Sequence, residues 1–567
     1  MAFLKTIFLL ALAAVLSLAG LLVPAHLRTV DTVALKAAAE QAPANADRLS
    51  ESLKAAHVGP ARFLAEATGT DTGLKRQIAK RLKDRPTAAL IGGPDPSFQT
   101  FIQLLPASRY NEASPRPVIP LLLPGADRRL LADRLATSTN ANVAALVRIR
   151  ELKGMLRLHP ASHPAGAPYD AGLLTLAQLI ESGHIDPAWA EQIGDLADQA
   201  SAGNTAAIEA VEELVMATLS MGRQLDFRSL ANLASFTDTL RGWADRATLF
   251  RAQPEQIAQL YTTLHYQKES EALFQYLNAY PKSAMGDLQD ALYAGPGAVR
   301  HLLATALPIH QPTWLSGNVL NPLKRYRPAA FVEFAHTNRP AALTLKMGLL
   351  SAGGLAFALA LGAAWRGSSR ASPEIGHLAP SVLVRNLGLS LVFALTAWFV
   401  FEPDVLQSNN TEADAGPRLE FAVASAVDAI QSPVKTMQEL NEVTLLVLAL
   451  FFVLQLVTYC FCLIKLKEIA RQNLDPSIKL RLLDNEENLF DFGLYLGLAG
   501  TVLALILVAI GIVEASLMAA YASTLFGILF VAMVKVLHLR PYRRKLIIEI
   551  SRKSDTSSSN LMENIKL

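Results

Sequence analysis

Two threonines, Thr501 and Thr524, stand in apolar surroundings near the end of the chain, within "LYLGLAGTVLALILVAIGIVEASLMAAYASTLFGILFVAMVKVL". A hydroxyl in hydrocarbon must find a partner, so its helix face is a place to look for chemistry. Gly497, Gly500, Thr501 and Ala504 fall at i, i+3, i+4 and i+7, one face of a helix. Ser516, Ala520, Ser523, Thr524 and Gly527 fall at i, i+4, i+7, i+8 and i+11, again a single stripe. Leu498, Val502, Leu505, Ile506 and Val508 occupy the other faces of the first helix. Two readings follow. Small residues let backbones approach closely while hydroxyls bond across helices. Alternatively, the two faces line a shared inner surface on which Thr501, Thr524 and Ser523 carry an ion or contact a partner helix.

Other reactive residue types give little. His159 and His163 in "HPASHPAG" have the i, i+4 spacing of paired metal ligands, but Pro160 and Pro164 argue against a helix there, and no carboxylate completes a zinc-protease pattern. Solvated loop histidines are expected, and no metal. Cys460 and Cys462, the only cysteines, lie at i, i+2 in an apolar segment, so they face different sides of a helix; a disulfide framework is excluded and buried thiols are expected. "GPGA" at 295–298 lacks the length and lysine of a phosphate loop and reads as a turn. No Gly-x-Ser-x-Gly elbow or paired-aspartate constellation is present. The chain reads as a non-enzyme without a cofactor.

These residues depend on elements set by composition. Of 567 residues 51% are hydrophobic and 18% charged, and the mean hydropathy is +0.28. A net charge of +3 gives no reason to expect nucleic acid. The apolar content is uneven. Residues 1–27 carry Lys5, a long apolar run and the small-residue triplet Val23-Pro24-Ala25, the marks of either a removable signal peptide or a membrane anchor. Five further stretches, Leu343–Ala364, Val382–Val400, Val443–Ile464, Phe492–Val513 and Ser516–Leu537, each approach the ~20 residues that span a bilayer. Basic flanks containing Arg366, Arg370 and Arg385, then Lys465, Lys467, Arg471, Lys479 and Arg481, then Arg540, Arg543, Arg544 and Lys545, predict cytoplasmic segments. Lys346 and Arg385, near span ends, are expected to snorkel to the interface.

The expectation is an all-α, polytopic membrane protein with a large, mainly helical exported domain. Its parts are residues 1–27, leader or anchor; 28–340, periplasmic domain; 341–402, two transmembrane helices; 403–441, an acidic periplasmic loop; 442–545, three transmembrane helices; and 546–567, a disordered cytoplasmic tail. In the domain, "DAGLLTLAQLIESGH" and "NTAAIEAVEELVMATLSMGRQ" have helical apolar spacing, with Asp170 and Asn204-Thr205 as candidate caps. No fixed repeat period appears.

"GLAGTV" followed by "STLFGIL", with basic flanks, resembles the paired pore-lining helices of the MotA/TolQ/ExbB proton-channel family, over about residues 443–545. The matching positions are Gly497, Gly500, Thr501, Thr524 and Gly527. The chain differs at Ala504, where the family often has glycine, and at Ala519, where one branch has glutamate; it lacks the proline late in the last helix, and its cytoplasmic link, about 465–491, is short. The resemblance implies a homo-oligomeric ring, typically a pentamer, in the bilayer around a small single-span partner that supplies an intramembrane aspartate. It also implies that Thr501, Thr524 and Ser523 form a proton path, and that Gly497, Gly500, Ala504, Ala520 and Gly527 pack the ring. The function implied is a stator-type subunit of a bacterial inner-membrane complex, coupling proton flow to work through the periplasmic domain. Two alternatives remain. The order of span, exported domain and span bundle resembles permeases of the FtsX/MacB type, which would require a separate ATPase, since no phosphate loop is present. Or the chain is a membrane-anchored scaffold or sensor whose hairpin only packs.

Overall fold

The computed structural model describes residues 2–565 apart from 71–72, 74–75, 79, 81–84, 107–114, 313, 325–326, 328, 369–379, 403–404, 406–441 and 510–516. Nearly all of the acidic loop, and the hairpin turn with Glu514 and Ser516, lie outside the described residues. The described chain is helical throughout, and its only β-type pairing is an isolated parallel bridge between Val30 and Ile309. It divides into two compact units, Val30–Ile309 and a second formed by Met1–Thr29 with His310–Leu567.

The second unit holds the apolar helices: α1 (Ala2–Leu22), α2 (Arg339–Ser368), α3 (Pro380–Phe401), α4 (Glu442–Arg471), α5 (Phe492–Ala509) and α6 (Leu517–Met533). Among the described residues five helices are long and apolar enough to cross a membrane, with windows Phe3–Leu22, Arg339–Ala364, Val382–Phe401, Val447–Arg471 and Tyr521–Arg552; Phe492–Ile506 is a shorter apolar helix. The short helices Trp314–Lys324 and Ala329–Thr337 belong to this unit and not to the helical domain, which closes at Ile309. Helix α6 passes through a π-helical stretch, Val534–Leu539, and continues as Arg540–Ile565. The tail expected to be disordered is therefore helical to Ile565. Once a helix is nucleated each further residue adds a hydrogen bond, so polar residues of modest propensity can extend it.

The other unit is a helical domain whose ends meet: the Val30 N–H donates to the Pro308 carbonyl at 2.9 Å. Its centre is the helix Ala167–Glu181, in which every residue from Tyr169 to Ile180 is buried. A helix apolar on nearly all faces belongs inside, and its Thr175 hydroxyl is satisfied within the helix, donating to the Ala171 carbonyl at 2.7 Å. Trp189 and Trp243, on two other helices, lie in the same core with ring centroids 5.8 Å apart, and the Trp243 indole N–H donates to the Thr218 hydroxyl at 3.0 Å. Asn204 caps Thr205–Gly222 as its sequence suggests, accepting from the Ala206 and Ala207 N–H groups. Asp170 does not cap. The helix starts three residues earlier, at Ala167, with Pro168 in its first turn, which fits proline's fixed φ. Asp170 instead accepts from Arg128 Nε at 2.9 Å and Arg150 Nε at 2.7 Å. Residues 295–298 combine a glycine link with the first turn of Pro296–Thr305.

Since Asp170 joins two arginines at a buried site, Asp170→Ala leaves both cations without a counter-charge. It should destabilise the protein by ~3–5 kcal/mol, read as a lowered thermal midpoint of the purified chain. Asn204→Ala, the loss of one cap, should cost only ~1 kcal/mol.

Candidate functional site

The C-terminal hairpin brings the threonines together. Close approach of α5 and α6 is set by glycine: a Cβ on Gly497 would stand 2.8 Å from the Ser523 carbonyl oxygen, and one on Gly527 2.6 Å from that of Gly493. At this separation Thr501 Oγ1 and Thr524 Oγ1 lie 2.6 Å apart. Both are within reach of the Gly497 carbonyl, Thr501 at 3.1 Å and Thr524 at 3.4 Å. Two hydroxyl protons thus serve one carbonyl and one neighbouring hydroxyl. Helix α4 covers the seam. Its Gln455, 1% exposed, donates from Nε2 to the Gly493 carbonyl at 3.0 Å, and Phe451 sits against Gly500. Thr501 is 6% and Ser523 1% exposed, while Thr524 is half-buried. Ala504 is also half-buried; Ala520 lies on α6, and its side chain is outside the described set. Leu498, Val502, Leu525 and Ile528 face outward.

Below the seam, polar pairs tie the same helices. Lys535 reaches Asp491 at 2.6 Å and Tyr459 Oη meets His538 Nε2 at 2.8 Å. Lys535 and His538 both belong to the π-helical stretch, the kind of local widening that re-aims side chains. Cys460 and Cys462 are free and buried, as their apolar setting suggests.

A buried charge centre lies elsewhere in the same unit, in residues the sequence pattern did not bring together. Lys346 does not snorkel. It is 1% exposed, and its ammonium is paired with Glu402, hydrogen-bonded to the Ala25 carbonyl at 2.8 Å and 3.5 Å from that of Val23. Glu402 also accepts the Trp398 indole N–H at 2.9 Å, and His26 Nδ1 stands 3.0 Å from its carboxylate. The His26 ring stacks on His310 at 4.2 Å. Snorkelling fails because Lys346 lies inside a three-helix contact in which the carboxylate, not the interface, is the nearest polar partner. A signal was present: His26, Lys346 and Glu402 each lie within a few residues of the same end of α1, α2 and α3 once consecutive spans are taken as antiparallel.

The helical domain contains a second polar centre. Asp95 accepts from the Phe98 N–H at 2.7 Å, from the Ser182 hydroxyl at 3.1 Å and from His184 Nε2 at 2.6 Å. Asp226 accepts from the Ser229 N–H and hydroxyl at 2.9 and 3.0 Å. Asn232 Nδ2 lies 3.4 Å from His265 Nδ1 and 3.3 Å from Tyr261 Oη. Burial, then the positive Arg228 and the neighbouring His184 and His265, press His57 down to about 4. Burial, then Arg48, brings His265 to about 4. Burial raises Asp226 to about 6. His159 and His163 are exposed and outside helix, with rings stacked at 4.2 Å. Among the described residues no group of three or more His, Cys, Asp or Glu is placed to hold a metal.

No family model, no curated protein and no solved structure matches the chain.

Two measurements test these centres. Below pH 6.5 an unfolded chain protonates His57 and His265, whereas the folded one resists until about 4. The folded state then binds fewer protons, so these imidazoles make stability fall as pH drops from 6.5 to 4. Asp226 opposes them, holding its proton to about 6 when folded, but one carboxyl does not cancel two imidazoles. The thermal midpoint should fall across this window, and the His57→Gln/His265→Gln double variant should flatten or reverse the slope. For the charge centre, Lys346→Met or Glu402→Gln alone should cost ~3–5 kcal/mol, because each leaves a buried partner uncompensated. Lys346→Met/Glu402→Met should cost less than the sum, as a double-mutant cycle on thermal midpoints would show.

Proposed function

We propose that the protein is a membrane-anchored helical scaffold: a bundle of spans in the bacterial inner membrane holds the domain Val30–Ile309 as a periplasmic binding surface, and the C-terminal hairpin is a packing element. The observation that carries this reading is the fate of the small-residue stripe. Thr501 and Ser523 are buried inside their own chain, Thr501 bonds Thr524 and the Gly497 carbonyl, and Gln455 and Phe451 of α4 cover the seam. Hydroxyls turned onto one another between two glycine-spaced helices are what close helix association in lipid requires. In the domain, His184 and Ser182 both bond the same carboxylate, Asp95, rather than each other.

A second reading, the stator-type proton-channel subunit, has its own support. The two threonines that match the family motif meet at 2.6 Å although 23 residues separate them. Thr524 keeps part of its surface, and the outward Leu498, Val502, Leu525 and Ile528 offer apolar faces to neighbouring copies or lipid. In that reading identical copies ring a small aspartate-bearing partner, and proton flow yields about 2.3 kcal/mol per charge for each 100 mV.

Native mass spectrometry of the complex from its own membranes, with Thr501→Val/Thr524→Val, separates the two. The scaffold reading expects a monomer or dimer. The double variant should lose only ~0.6 kcal/mol, at most ~1.7, of stability and leave dye-detected proton uptake into vesicles unchanged. Several identical copies with a small single-span protein, and a proton flux abolished by the double variant, would replace it with the stator. Co-purification of an ATPase would favour the permease-like alternative.

A further inference from the structure

We infer that the N-terminal helix is a permanent span of the membrane bundle and that the bond after Ala25 stays intact in the mature protein. The residues that resemble a cleavage site are those that complete the buried charge centre. Val23 and Ala25 are buried. Their carbonyls receive the Lys346 ammonium, and the next residue, His26, places Nδ1 3.0 Å from the Glu402 carboxylate. Arg339, at the start of α2, donates to the carbonyls of His26 and Leu27 at 2.8 Å each. Every residue from Val23 to Leu27 except Pro24 is therefore engaged with α2, or with Glu402 at the end of α3.

The helix itself is packed as a bundle member along α2. Gly20 faces Leu349, Leu350 and the Lys346 carbonyl, and Ser17 and Ala13 face Gly353, where a Cβ would collide with the Ser17 hydroxyl. Small residues thus set the approach from both sides, the usual arrangement of associated helices in lipid. The opposite face, with Phe3, Leu4, Phe8 and Val15, is exposed and apolar, as a lipid-facing surface requires. A leader that is cut away needs none of this matching, and its last residues must be reachable by a peptidase.

Removal would also be costly in charge. Cutting after Ala25 would strip Lys346 of two carbonyl acceptors and create a new ammonium on His26, beside a lysine already buried. The carboxylate of Glu402 would then face two cations where it now balances one.

The test is the N-terminus of the full chain, expressed with a C-terminal tag in a bacterial host and isolated from membranes. Intact-mass measurement and N-terminal peptide sequencing should find residues before Ala25 on essentially all molecules, and Ala25→Arg, which blocks signal peptidase, should not change the mass beyond the substitution itself. A chain beginning at His26 would overturn the inference. A Ser17→Cys/Gly353→Cys pair, in a background lacking Cys460 and Cys462, should cross-link under mild oxidation. Failure to cross-link in a folded, uncleaved protein would show that the helix is retained without being a bundle member, and would overturn that half of the inference.

Discussion

Lys346 sets the strictest constraint on this molecule. An ammonium buried among apolar helices cannot reach water, so its neighbours must answer it. Glu402 supplies the counter-charge, and the carbonyls of Val23 and Ala25 fill the remaining donor directions. Trp398 in turn donates to Glu402, and the His26 imidazole stands beside the same carboxylate. The result couples the end of α1 to the ends of α2 and α3, which lie more than 300 residues further along the chain. A buried ion pair is not by itself a source of net stability, but it penalises every arrangement in which one partner is missing. It therefore fixes which helix ends meet and at what height.

The C-terminal hairpin solves the same problem with neutral groups. Here the polar atoms are hydroxyls, a glutamine and backbone carbonyls, and the geometry follows from the absence of side chains at Gly497 and Gly527. Bonds of this kind contribute little each, because an unpaired helix in lipid also finds partners for its hydroxyls. Shape, more than hydrogen-bond strength, holds α5 to α6. Beyond them lies the π-helical stretch. It contains Lys535 and His538, which meet Asp491 and Tyr459.

In the helical domain, packing dominates and polar groups adapt to it. The central helix is buried on every side, so its carboxylate Asp170 is matched by two arginines rather than left to cap the backbone. His57 and His265 are held neutral by the same economy: burial favours the uncharged ring, and the nearby cations reinforce it. These groups come from distant parts of the chain and have no common motif, which is why a scan for catalytic spacing passes over them.

What the sequence determined by itself is what periodicity and composition carry. Apolar runs long enough to span, small-residue stripes at helical spacing, the Asn204 cap and the helical character of the domain are local properties, because a helix makes its own backbone bonds. Even the meeting of Thr501 and Thr524 was latent in those stripes. Tertiary structure alone decided the partners. Whether Lys346 snorkels or is buried depends on Glu402 and His26 standing at the same helix end, and whether Asp170 caps or bridges depends on Arg128 and Arg150. A side chain's local spacing says which way it points along its own helix; only the packing of other helices says what charge, carbonyl or hydroxyl it meets there, and in a low-dielectric interior that encounter determines its role.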